Sequence, residues 1–143
     1  MSDELYLGPE HVNAQLAASL AFADGASGAS RVFLYGSLPD LPRAIPSAEY
    51  SVEIVLAKPC ATLSGESLTL IPASATGSMV QTTGLARWAR WVRSDGKLVA
   101  AGTVSNLAGT GAFRIAGGTT PPGEDTPLLQ AGGLVLFGAL ILD

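Results

Sequence analysis

The hydrophobic and polar positions of this chain follow two periods, one near the N-terminus and another from residue 31 onward. Between Pro9 and Ala23, the residues Val12, Leu16, Leu20 and Ala23 recur at spacings of four, four and three. That spacing aligns them on one stripe of an α-helix, while Glu10, Asn13 and Asp24 lie elsewhere. Pro9 and Glu10 in the first turn and Gly25 just past the end supply start and stop marks, so the pattern predicts a helix over residues 9–23. The next stretch, 24–30 (Asp-Gly-Ala-Ser-Gly-Ala-Ser), has the small residues of a linker. The helix face of Val12, Leu16 and Leu20 must then dock either on the chain's own sheet or on a neighbour.

From Arg31 the period falls to two, and strands are expected at 31–37, 49–57, 67–71, 85–93, 97–104, 112–116 and 134–142, with a short further one at 126–131. In the second of these, Tyr50, Val52, Ile54 and Leu56 alternate with Glu49, Ser51, Glu53 and Val55, the pattern of a half-buried strand. The Pro-rich segment 38–46 fits neither a helix nor a central strand. Residues 73–84 read as a loop with a short extended piece. Asp95-Gly96 predicts a tight hairpin between residues 85–93 and 97–104, because primed turns demand positive φ angles. No second strong helix follows residue 30, and parallel strands usually need helical crossovers. The expected fold is therefore mainly β, an antiparallel, jelly-roll-like β-sandwich with one N-terminal α-helix. It forms a single domain over 1–143, with helix and linker in 1–30 and the sandwich in 31–143.

Composition sharpens this picture by exclusion. Of 143 residues, 48% are hydrophobic and only 14% charged, against about 25% charged in ordinary domains. A large core and an uncharged surface follow. Eight basic against twelve acidic residues give a net charge of -4, with no electrostatic footprint for nucleic acid or an anionic membrane surface. The N-terminal Met-Ser-Asp-Glu lacks the basic and apolar regions of a signal peptide, so synthesis in a cytoplasm is expected. The apolar run Leu134–Leu142 is about half the ~18 to 20 residues of a membrane-spanning helix.

Chemistry-bearing residues are few. Cys60 is the one cysteine and His11 the one histidine, so neither an internal disulfide nor a four-ligand zinc site built on Cys and His is available. His11 reads as an exposed helix residue and Cys60, after Lys58-Pro59, as a bystander thiol. Glu49 and Glu53 fall on one solvated strand face; Glu124-Asp125 reads as a loop tip, with calcium ligation the minor alternative. Gly109-Thr110-Gly111 and Gly117-Gly118 lack the strand, lysine and helix of a phosphate loop and read as turns. No catalytic, cofactor or metal site is expected, and the chain is read as a non-enzyme.

Two segments point to contacts instead. The run Gly84–Arg93 holds both tryptophans and three of the eight basic residues. As a strand it sends Trp88, Arg90 and Val92 one way and Arg87, Ala89, Trp91 and Arg93 the other. Trp88 is expected in the core, leaving Arg87, Trp91 and Arg93 as an outward strip suited to a protein partner. A plain solvated strand or a nucleic-acid contact are the alternatives. The last strand, Gly133–Asp143, is apolar on both faces and needs cover on both, one from the core and the other from the helix or another subunit.

The order of these features resembles small virion proteins of tailed bacteriophages. The resemblance is carried by Asn13–Leu20 (Asn-Ala-Gln-Leu-Ala-Ala-Ser-Leu), the Gly/Ala/Ser linker, Tyr35–Pro39 (Tyr-Gly-Ser-Leu-Pro), the hairpin Gly84–Gly96, Ala101–Val104 (Ala-Gly-Thr-Val) and the terminal apolar strand. Within that group the chain is most similar to the cement, or head-decoration, proteins. The resemblance implies a noncatalytic β-sandwich or jelly-roll domain on the capsid exterior, made in the host bacterial cytoplasm, that binds the major capsid protein, stabilises the head and self-associates. The longer Pro-rich segment 38–46 departs from that pattern. A tail or tail-tip component and a carbohydrate-binding sandwich module are the alternatives.

Overall fold

The structure, a computed structural model, describes residues 8–41, 43–46, 49–64, 67–74 and 77–140. One helix, α1 (Pro9–Ala23), precedes the strands β1 (Arg31–Tyr35), β2 (Tyr50–Ser64), β3 (Ser67–Pro72), β4 (Ser78–Met79), β5 (Gly84–Leu85), β6 (Trp88–Val92), β7 (Leu98–Asn106), β8 (Phe113–Ala116), β9 (Leu128–Leu129) and β10 (Leu134–Leu140). Among the described residues the chain adopts the expected mainly-β class with one N-terminal helix. Positions 141 and 142 of the expected last strand lie outside the described residues.

The strands form one continuous mixed sheet in the order β3-β2-β1-β6-β7-β8-β10-β4, with β5 and β9 pairing separately. A pairing of Leu140 with Leu68 joins β10 back to β3, so the sheet curls into a ring. Just past β4, the Gln81 N–H donates to the Ser51 carbonyl of β2 at 2.7 Å and holds the other end of the same seam. Two strands turn the corners. β2 pairs with β1 along residues 50–55 and with β3 along 61–64, its register shifting between Leu56 and Ala61 around a cis Lys58–Pro59 bond. β7 pairs with β6 along Leu98–Thr103 and with β8 along Val104–Asn106. Sharing both corner strands replaces the expected pair of separate sheets.

The expectation of a wholly antiparallel sheet is also corrected, because β7 and β8 run parallel through Val104–Phe113, Ser105–Arg114 and Asn106–Ile115. Parallel neighbours usually need long crossovers, yet only residues 107–112 intervene. The chain doubles back tightly over β7. A Cβ on Gly111 would stand 2.6 Å from Ser105 N, and one on Gly109 2.6 Å from Ser105 Cβ. The missing side chains let backbone pass against backbone, and the Gly111 N–H donates to Ser105 Oγ at 2.9 Å.

The hairpin between β6 and β7 is a looser turn than the expected primed one. Gly96 has φ +92°, but Asp95 does not enter the positive-φ region. The Gly96 N–H donates to Arg93 O at 2.9 Å and the Arg93 N–H to Lys97 O at 2.8 Å, a three-residue loop that needs one left-handed residue.

The core lies inside the ring. Val32, Leu34, Val52, Ile54, Ala89 and Trp91 enter it from one side, and Leu68, Leu70, Phe113, Ile115 and Val135 from the other. At about 1.5 to 3 kcal/mol per fully buried large side chain, this interior is the main stabilising term. Helix α1 packs on β2, β3 and β7, with Leu16 and Ala23 buried in the core and Val12 and Leu20 packed against it.

Candidate functional site

The residues singled out from sequence separate into buried and accessible sets. Trp91 is fully buried, so the expected outward strip of Arg87, Trp91 and Arg93 does not exist as such. The physical reason is the register. Trp91 pairs with Val32 and Ala100, and Ala89 with Leu34 and Gly102. Small residues on β7 leave room inside for an indole, whereas Trp88 sits opposite Tyr35 and Thr103 and is half-buried. Trp88 therefore faces outward and Trp91 inward, the reverse of the expectation.

Arg93 is used within the chain. Its guanidinium lies 4.6 Å from the centroid of the Phe22 ring and its Nη2 is 3.2 Å from Asp95 Oδ2, fastening α1 to the hairpin. The stripe Val12, Leu16, Leu20 is likewise spent on the chain's own sheet. Nor does the stretch 24–30 hang loose. The Cys60 N–H donates to Asp24 Oδ2 at 3.1 Å, Lys58 Nζ to Ala26 O at 2.8 Å, the Gly28 N–H to Ser94 Oγ at 3.0 Å and the Leu56 N–H to Ser30 O at 3.0 Å. Burial pushes the Cys60 thiol up to about 11, a setting for an inert thiol.

Arg87 remains in an open position. It lies at the end of the molecule where the β1–β2 connection, the residues before β6, the β7–β8 loop and the segment 117–127 meet. A shallow cleft of about 270 Å³ opens there, lined by Leu38, Arg87, Thr103, Val104, Thr110, Gly111, Asp125 and Thr126. Backbone contacts fix its walls: the Arg87 N–H donates to Tyr35 O at 2.9 Å and the Asn106 N–H to Asp125 O at 2.7 Å. The Thr126 hydroxyl donates to the Ala86 carbonyl, and Asn106 Nδ2 donates to Thr120 Oγ1 at 3.0 Å. Arg87 Nη2 is 3.4 Å from Glu124 Oε1, with side chains 41% and 32% exposed. A long, half-solvated pair of this kind is weak and opens readily.

The connection 36–46 also carries three well-exposed apolar side chains, which sequence reasoning missed. Leu38, Leu41 and Ile45 are 59%, 68% and 64% exposed, and Leu107 in the β7–β8 loop is 53% exposed. A signal was present. Leucine and isoleucine alternate with proline in 38–46, and proline bars the segment from the sheet that would bury them.

Among the described residues no three His, Cys, Asp or Glu side chains gather to hold a metal ion, and no helix is long and apolar enough to cross a membrane. Of Glu124 and Asp125, the loop pair for which calcium ligation was the minor alternative, Glu124 is engaged with Arg87. Comparison with protein-family models, with curated proteins and with solved structures gives no match.

Proposed function

We propose that this chain is a noncatalytic structural subunit of a virion, a cement protein on the capsid exterior that docks on the major capsid protein and stabilises the head. Its resemblance to the head-decoration proteins of tailed bacteriophages suggests the partner. The observation that carries the reading is the exposure of Leu38, Leu41 and Ile45 on one proline-rich connection, whose Leu38 lines the cleft together with Arg87. Exposed apolar anchors next to an arginine are the composition of a protein-binding surface. Solvation does not favour such side chains in a free monomer, so a partner that covers them supplies the missing term. Each contact is small, and repetition on a lattice multiplies it.

Locating the labelled protein on particles by electron microscopy tests the assignment. Density on the head surface supports it, and density confined to the tail transfers the same docking end to a tail component.

A further inference from the structure

We infer that the outer face of β1, β2 and β6 binds a carboxylate-bearing segment of a partner protein, through Arg90 and the aromatic side chains around it. The contact is separate from the loop end and does not rest on the capsid reading. Because Ala89 and Trp91 point into the core, Trp88 and Arg90 project outward from β6. Arg90 is the cross-strand partner of Phe33, whose ring centroid lies 4.9 Å from that of Tyr50. All four side chains are half-buried. Tryptophan, tyrosine and arginine together are the anchors enriched in protein interfaces.

The charge of Arg90 selects the occupant. Arg31, Arg87 and Arg93 each have a carboxylate of this chain, at 2.7, 3.4 and 3.2 Å, whereas none among the described residues pairs with Arg90. The acid in its own cross-strand row, Glu53 beyond Phe33, is the one that Arg31 holds. Arg90 Nε is buried without a hydrogen-bond partner, so the stem lies pressed on the sheet and the terminal nitrogens are left for a partner. Covering that guanidinium with a neutral surface would strip its water and return no counter-charge. A carboxylate offsets the loss with a bidentate pair. Phosphates of a nucleic acid fit less well, since the chain carries -4 and one guanidinium neutralises too few of them. Among the described residues no acid pairs with Arg114 of β8 either, but its cross-strand neighbours Ser105 and Ala139 bring no aromatic anchor.

Nuclear magnetic resonance titration of the isotopically labelled full chain tests this, the probe being a terminally blocked hexapeptide of alternating glutamate and leucine. The Arg90 Nε–H and Trp88 indole resonances are expected to shift saturably, and glutamine in place of glutamate weakens binding about fivefold or more. Arg90→Gln loses affinity to the same extent, while its Trp91 indole resonance, which reports the core, stays in place. Arg90→Lys, which keeps the charge without the planar fork, binds with intermediate affinity. Arg114→Gln and Leu41→Asp bind like the wild type. Absence of any shift at Arg90, equal affinity of Arg90→Gln and wild type, or equal affinity for the glutamine peptide overturns the inference. A stronger response to a single-stranded oligonucleotide than to the glutamate peptide overturns it too. Binding to head shells is read separately, so neither outcome depends on it.

Discussion

Trp91 Nε1 donates a hydrogen bond to Ser30 Oγ at 3.2 Å in the buried interior. The bond ties the last residue of the segment after α1 to β6. One side chain thus fills the core and also holds the helix connection against the sheet.

Trp91→Ala is expected to cost about 3 to 5 kcal/mol of folding stability, because a fully buried indole leaves a cavity that Ala89 and Ala100 cannot fill. Trp88→Ala costs less, since Trp88 is half-buried. Ser30→Ala leaves a buried indole N–H without its acceptor and costs about 1 to 3 kcal/mol. Urea unfolding of the three variants checks the order; a larger loss from Trp88 than from Trp91 contradicts the face assignment.

Cys60 sets a pH dependence at alkaline pH. Its thiol is pushed by burial from an ordinary value of 9.0 up to about 11 in the folded chain. Between those values the folded state holds a proton that the unfolded state has lost. The stabilisation is therefore complete below about pH 9 and is lost as pH rises toward 11, by up to about 2 to 3 kcal/mol. Cys60→Ala removes this part of the slope, so equal losses in wild type and variant across that window contradict it.

The doubled-back β7–β8 connection predicts intolerance at Gly111. An alanine there places its Cβ 2.6 Å from Ser105 N and 2.8 Å from Val104 C, backbone atoms that cannot rotate away. A loss of at least about 1 to 3 kcal/mol is expected on thermal unfolding. Gly84→Ala, with nothing within 4 Å of its Cβ, is the matched control and should lie near the wild type.

The Arg87–Glu124 pair contributes little to folding. Both side chains are partly solvated, so Glu124→Gln is expected to change stability by less than about 1 kcal/mol. A larger loss in urea unfolding means that the pair is structural, and that Arg87 is committed within the chain as Arg93 is.

Much of the fold was legible in the pattern of residues. The helix limits at Pro9 and Ala23 and the alternation of Tyr50, Val52, Ile54 and Leu56 map directly onto α1 and β2. Closure of the sheet was not legible, because it rests on pairings such as Leu140 with Leu68 between strands far apart in sequence. The inward face of β6 was ambiguous for a different reason. Each face of that strand carries one tryptophan, and only the small partners Ala100 and Gly102 on β7 decide between them. The parallel β7–β8 pair was hidden because its cause is the absence of two side chains at Gly109 and Gly111. At the loop end the sequence marks Arg87 as a candidate contact, whereas Leu38, Leu41 and Ile45 read there only as part of a proline-rich connection.

The docking end carries the functional account, and co-sedimentation with head shells assembled without this protein tests it most directly. Wild-type protein is expected to bind the shells saturably and raise their disruption temperature, and the doubly substituted Leu41→Asp/Ile45→Asp chain, folded by its tryptophan emission, to bind at least tenfold more weakly. Absence of wild-type binding, or equal binding by the two proteins, contradicts the assignment of that end as the capsid contact.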